Sequence, residues 1–402
     1  MRNGVAFTIC GIVLLDVVGF GMVLPLMPYL GEEYGASDFQ IGLLIASYGL
    51  AQFLAAPWLG NLSDRWGRKP VLALSLLGSA TGFLLWGYVT DISRLLQPYT
   101  SLSIPSLAMG LLFLGRTLDG LSGGNLPLAQ AVITDVTDHS SRGKGLAFIS
   151  ACLGMGFIIG PPLGGWLSEG GHYESPCRLA ALFALVNCLA VLAFLKETRS
   201  DANRAERKRT FQGISKLRPS LQHILVASVG YFYVYSIFTG TFTLYTLNQF
   251  EMSSKETGNL LGVLAAVAAT CQIFFVGKLI RKFGEPSLLR IGLPCIAVCL
   301  LAWGVVQRRW EFYLVILGMA VLASVLNVSL RSRLTKLTDP NETGRLLGYQ
   351  TSIESAARVL GPLTGAALME WGTPEMPGLV AGSLLLLSLP LLARSWRSGP
   401  EA

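Results

Sequence analysis

Charge is scarce in this sequence. Only 14% of its 402 residues are Asp, Glu, Lys or Arg, against about 25% in an ordinary soluble domain. A disordered chain needs high charge and low hydrophobicity, and here 52% of residues are hydrophobic. Histidine is rarer still: His139, His172 and His223 all fall in or beside predicted loops, so no imidazole chemistry is placed deep in an apolar segment. The seven cysteines are an odd number without metal-ligand spacing, and most sit inside apolar runs as small buried residues. No HExxH and no His/Cys cluster is present, so no metal or cofactor site is expected, and the chain is not expected to be an enzyme.

What the chain has instead is long apolar blocks. Residues 71–88 contain no charge at all, nor do 145–168 or 380–393. A helical bilayer crossing needs about 20 apolar residues. Apolar runs predict twelve crossings, at about 5–25, 41–59, 71–90, 107–133, 145–168, 178–195, 221–247, 257–277, 288–306, 312–330, 346–369 and 378–393. The fold class is therefore an all-α integral membrane protein of twelve transmembrane helices. No soluble domain is left over to bind nucleotide. The first apolar run continues through Pro25 and Pro28 with no small-residue cleavage site, so it reads as a first span and not a removed signal.

The net charge of +7 is a topology signal. With the N-terminus inside, 24 Lys and Arg fall on the inner side and 5 on the outer, the asymmetry that orients membrane proteins. Both termini are expected in the cytoplasm, in a bacterial inner membrane, and no nucleic-acid partner is expected.

The long polar stretch at 197–220 divides the chain into an N-terminal six-helix half, 1–196, a basic cytoplasmic linker, 197–220, and a C-terminal six-helix half, 221–402. The halves echo each other. Thr137-Asp138 precedes Gly160-Pro161 by 23 residues, and Thr338-Asp339 precedes Gly361-Pro362 by the same 23, at an offset of 201. Gly60-x-Leu62…Gly67 returns as Gly277-x-Leu279…Gly284 at an offset of 217. Pseudo-symmetric six-span halves are a transporter architecture, with the substrate site expected near mid-membrane where the halves meet.

The loop after the second span reads GNLSDRWGRKP, Gly60 to Pro70. Glycines at 60 and 67 permit a tight two-helix turn, and Asp64 suits a helix N-terminus or backbone donors. This string resembles the signature loop of the major facilitator superfamily. LDVVGFGMVLPLMP (Leu15 to Pro28), Gly115-Arg116…Gly120 and GMGFIIGPPLGG (Gly154 to Gly165) resemble the first-, fourth- and fifth-span motifs of its tetracycline-type drug:proton antiporters. The resemblance covers essentially the whole chain. It implies a gating loop of Gly60, Asp64, Arg65, Gly67 and Arg68, and a fifth span that packs closely and bends through Gly156, Gly160, Pro161 and Gly164. It implies that Arg116 modulates proton binding near the cavity. The chain departs from tetracycline exporters where they carry further intramembrane carboxylates. Thr81 stands in the third span, and the ninth has only Arg290 at its edge.

Five charged residues lie well within the predicted spans: Asp16, Arg116, Asp119, Glu354 and Arg358. Each costs about 2.5–3.5 kcal/mol at a helix centre on insertion scales, so such residues mark ion or substrate pathways. Arg116 and Asp119 at i, i+3, and Glu354 and Arg358 at i, i+4, are spaced to pair on one helix face. Asp16 has no partner in its own span. Burial disfavours the charged form of a carboxylate, which suits Asp16, with Arg116 and Asp119, to proton coupling. Tyr231, Tyr235 and Phe238 share one face of the seventh span. With Asn125, Asn327, Glu354 and Arg358 they are the candidate substrate-binding residues.

The expected function is proton-coupled export of small organic amphiphiles by alternating access. The partners are a small-molecule substrate, protons and the lipid bilayer, and the chain is expected to act as a monomer. The alternative on the same fold is a uniporter or symporter of a lipid-like molecule, sugar or organic anion.

Overall fold

The computed structural model describes residues 3–138, 141–198, 219–338 and 342–397. The predicted linker therefore falls largely outside the described residues, as do His139 and Asp339. Every regular element among the described residues is helical. Nine helices there are long and apolar enough to cross a bilayer: Val5–Glu33, Asp38–Trp66, Arg68–Gly87, Arg142–Leu167, Glu174–Phe194, Leu221–Phe250, Ser254–Phe283, Glu285–Val305 and Arg309–Lys336. These are spans one to three and five to ten. The fourth span is two helices, Ile104–Leu121 and Asn125–Val136. The eleventh is Thr343–Trp371 and the twelfth Met376–Arg397. That gives the twelve passes of the predicted fold class.

Local chemistry sets several boundaries. Ser37 and Gln40 form a capping box that starts the second span. Pro25 sits in a 3-10 turn, Leu24–Leu26, within the first span, where its missing N–H and ring interrupt the α-helical ladder. The fourth span, predicted continuous, breaks at Ser122-Gly123-Gly124. Freed backbone in a membrane must find partners inside the protein, and it does. Gln52 Nε2 donates to Gly123 O at 3.0 Å, and the Ser75 hydroxyl donates to Ser122 O.

The chain divides into two compact units, Met1–Glu206 with Glu251–Val263, and Arg207–Phe250 with Leu264–Ala402. The stretch Glu251–Val263 follows the seventh span in sequence yet packs in the first unit. Tyr29 Oη donates to Met252 O at 2.8 Å, Lys255 pairs with Glu169 at 2.8 Å, and Ser168 Oγ donates to Ser254 Oγ at 2.8 Å.

Within each unit a stripe of small residues lets two helices cross at backbone distance. A Cβ on Gly156 would meet Val17 at 2.6 Å, one on Gly160 would meet Val18 O at 2.8 Å, and one on Gly164 would run into Met22 O. In the second unit a Cβ on Gly361 would meet Ser236 at 2.5 Å and one on Gly365 would meet Thr241 at 2.5 Å. The first–fifth and seventh–eleventh crossings are thus built alike. The second unit adds an aromatic nucleus of Phe238, Phe242, Tyr245, Trp303 and Phe312, with ring centroids 4.9–6.0 Å apart. Outward faces carry large apolar side chains in quantity, among them Leu54, Trp58, Phe148, Leu189 and Ile273. Exposed apolar surface on this scale is the face a protein shows to lipid.

Candidate functional site

The break in the fourth span positions the first cluster. Asn125 opens the second half of that span, and its Nδ2 donates to Asp16 Oδ1 at 2.9 Å. One turn before the break, Arg116 Nη1 pairs with Asp119 Oδ2 at 3.2 Å, both side chains buried. Ser79 hydrogen-bonds Asp119, and Asp119 lies within electrostatic reach of Asp16. The Arg116 guanidinium sits over the ring of Tyr48 at 4.3 Å, with Phe20 at 5.3 Å and Trp86 at 5.9 Å, a cation–π cage. Trp86 is held by its own bond to Leu112 O at 2.9 Å. Two carboxylates and one guanidinium leave one negative charge when all are ionised. Binding one proton makes the cluster neutral.

The loop between the second and third spans forms a second network in the same unit. Arg68 pairs with Asp64 at 2.8 Å and with Asp135, at the end of the fourth span, at 3.2 Å. Glu197 reaches back to the start of the third span, where its two carboxylate oxygens accept from Arg68 N at 2.8 Å and Lys69 N at 3.1 Å. An anion at a helix N-terminus satisfies orphan donors and complements the helix dipole. Gly67 has φ +104°, and a Cβ there would strike the Glu197 carboxylate. Gly60 meets nothing within 4 Å and Arg65 is exposed.

In the second unit Tyr231 and Tyr235 stack at 5.6 Å with their planes 13° apart. Asn327 Nδ2 donates to Tyr231 Oη and to Ala323 O, both at 3.0 Å. Phe238 is buried in the aromatic nucleus against Trp303 at 5.1 Å, so it packs and does not present a wall. The expected Glu354–Arg358 pair is corrected by the structure. Glu354 instead takes Arg331 of the tenth span, Nη2 donating to Oε1 at 2.7 Å and Oε2 at 3.0 Å. Arg358 is exposed and makes no ion pair with any described residue. Glu354 is buried and Arg358, one turn further on, is exposed, and the buried carboxylate takes its partner from another helix.

Thr81 spends its hydroxyl on Leu77 O of its own helix at 2.9 Å and is exposed. Two residues missed from sequence are Glu197 and Arg331. Glu197 looked like one acid in a polar linker, and Arg331 like one more cytoplasmic base at a helix end. No sequence pattern separates such residues from their solvated neighbours.

Two units of membrane-spanning helices, each with an ion pair drawn into its helix packing, are the architecture of a membrane transporter. A family model of the Major Facilitator Superfamily matches residues 9–317 and 224–402, and the chain belongs to that superfamily. It is 28% identical over 401 residues to the tetracycline resistance protein, class B, of Escherichia coli, covering 97% of this chain and 95% of that protein. It is 25% identical over 382 residues to multidrug resistance protein 2 of Bacillus subtilis (strain 168), covering 93% and 91%. Among solved structures, the human organic anion transporter MFSD10 (TETRAN) aligns with a TM-score of 0.68 at 25% identity, covering 97% of this chain and 99% of that one. The protein is an integral membrane transporter of small molecules and not an enzyme.

Proposed function

We propose that this protein exports small organic amphiphiles across a bacterial inner membrane in exchange for protons, by alternating access. The Asp16–Asn125 and Arg116–Asp119 cluster carries this reading. Arg116, Asp119 and Asn125 are buried and Asp16 is half-buried, so one uncompensated negative charge in this set is costly, and taking up one proton removes that charge. Asp16 is the group that carries the proton, because it is hydrogen-bonded by the neutral amide of Asn125 while Asp119 is ion-paired to Arg116. The Arg116 cage fixes the positive end of the cluster, so the affinity of Asp16 for a proton depends on whether Asp119 stays engaged. The Asp64–Arg68–Asp135 network and the glycine crossing of the first and fifth spans act as the gating and hinge elements. The tetracycline and multidrug resistance relatives support drug-like cargo, and the direction of export follows theirs.

The test uses everted vesicles bearing the full chain, an imposed acid-inside gradient and a pH-sensitive dye. Cationic, neutral and anionic amphiphiles are added in turn. The expected result is substrate-dependent collapse of the gradient that disappears in Asp16→Asn. If no compound moves protons, or Asp16→Asn behaves as wild type, proton coupling through Asp16 is wrong.

A further inference from the structure

The second unit encloses a cavity of about 310 Å³ whose wall includes Tyr235, Gln272, Ser324, Asn327 and Arg331. That volume is at the small end of the ~300–1,000 Å³ typical of ligand pockets. Among the described residues, Arg331 is its one charged lining residue. The Arg331 side chain is 56% exposed, whereas its partner Glu354 is 11% exposed and does not line the cavity. The ion pair therefore turns its positive member toward the space and keeps its negative member behind. Both Glu354 oxygens draw on the same nitrogen, Nη2. A guanidinium carries five N–H donors, so the donors on Nε and Nη1 remain for something else.

The other polar groups of the wall are unequal. Ser324 Oγ donates to Ala320 O at 2.8 Å, and Asn327 Nδ2 is committed to Tyr231 and Ala323. Gln272 is different. It is exposed and begins a π-helical turn, Gln272–Val276, in the otherwise α-helical eighth span. π turns are rare and recur at functional sites, where the extra residue re-aims a side chain. Here that residue type is an amide on the cavity wall beside a guanidinium. Tyr235, backed by its stack on Tyr231, supplies a flat aromatic surface.

We infer that this cavity is a subsite for a small organic anion with a planar apolar body. The carboxylate of the cargo sits on the free edge of Arg331, Gln272 gives a second donor, and the body lies on Tyr235. The inference names the substrate class for the transport reading above and rests on it. A cation is disfavoured at this position because no carboxylate lines the cavity among the described residues and Glu354 is engaged by Arg331.

The test is equilibrium binding to the purified full chain in lipid nanodiscs, with no gradient. The probes are 1-naphthylacetate, 1-naphthylacetamide and 1-naphthylmethylammonium, which share one body and differ in charge. The carboxylate is expected to bind about tenfold tighter than the amide, the ratio one charge-assisted hydrogen bond gives, and the ammonium weakest. Arg331→Gln removes the carboxylate's advantage. Glu354→Gln preserves or increases it, since the guanidinium then serves the cargo alone. If Arg331→Gln fails to fold with Glu354 left unpaired, the Arg331→Gln/Glu354→Gln double variant stands in, and it too must show no anion preference. Strongest binding by the ammonium, its loss in Glu354→Gln, a carboxylate advantage that survives removal of Arg331, or no carboxylate binding would each overturn the inference. Because the assay imposes no proton gradient, a failure of Asp16-dependent coupling leaves it unaffected. Intact coupling with no anion preference refutes only the subsite.

Discussion

Gly67 is held by two separate constraints. Its φ of +104° with ψ of 162° is a backbone conformation essentially reserved for glycine, and the Glu197 carboxylate occupies the space a side chain would need. Gly67→Ala is expected to lose about 1–3 kcal/mol from backbone strain alone, with a further loss as Glu197 is driven off the third-span N-terminus. Thermal unfolding in detergent separates the two. Glu197→Ala in the Gly67→Ala background should recover the clash component and leave the strain, a non-additivity that a double-mutant cycle reads directly. Strict additivity would mean that Glu197 does not cap this helix. The Arg116–Asp119 pair is expected to show the opposite pattern of costs. Removing one partner of a buried ion pair typically costs about 3–5 kcal/mol because a lone charge is stranded, whereas removing both costs far less. Arg116→Met and Asp119→Leu should each destabilise the protein more than the two combined. A double variant worse than both singles would contradict that.

At the scale of elements, the glycine crossings turn single atoms into helix positions. Gly164 has no room for a methyl group against Met22 O, while Gly154, on the same helix, meets nothing within 4 Å. Overpacking a close crossing costs about 1–3 kcal/mol, so Gly164→Ala should lower both the unfolding midpoint and transport, and Gly154→Ala should change neither. Equal effects at the two positions would show that helix propensity, not the crossing, is being measured. The broken fourth span follows similar reasoning. Its break is stabilised by Gln52 and Ser75 and places Asn125 on Asp16. Gln52→Leu removes the donor to Gly123 O and should weaken Asp16-dependent proton flux without a change at Asp16 itself. Proton flux in everted vesicles at several pH values is the readout, and an unchanged profile would remove the break from the mechanism.

For the whole molecule, what was legible in the sequence follows from what a bilayer demands of it. Twenty-residue apolar runs and a one-sided distribution of bases are imposed residue by residue, so the twelve helices could be read off. Pairing between helices is not imposed that way. Asp16 and Asn125 both stood out as polar residues in apolar runs, but their hydrogen bond depends on a break in the fourth helix that is invisible to hydropathy. Glu354 had a plausible partner one turn on, yet the fold offers it Arg331. The internal repeat, by contrast, was legible and has a consequence that only the structure exposes. Arg68 and Glu285 stand 217 residues apart, the offset relating Gly67 to Gly284, and Asp135 and Lys336 stand 201 apart, the offset relating the two Gly-Pro pairs. Arg68 pairs with Asp135 at 3.2 Å in one unit, and Glu285 pairs with Lys336 at 2.5 Å in the other. The same bond recurs with its charges exchanged, joining the start of the third or ninth span to the end of the fourth or tenth.

If the repeat requires the bond and not its polarity, exchanging the charges within one unit should be tolerated better than breaking it. Glu285→Lys alone places two cations together, and Lys336→Glu alone sets a second carboxylate beside the buried Glu285, which also accepts from Ser332 at 2.8 Å. The double exchange restores the pair. It does not restore an acid in the first turn of the ninth span, a position where helix polarity favours a negative charge by about 0.3–1 kcal/mol. The expected order of unfolding midpoints is wild type, then the double exchange, then either single variant, and transport rates should follow the same order. A double exchange no more stable than the worse single variant would show that Glu285 acts by capping its helix, with Lys336 a bystander.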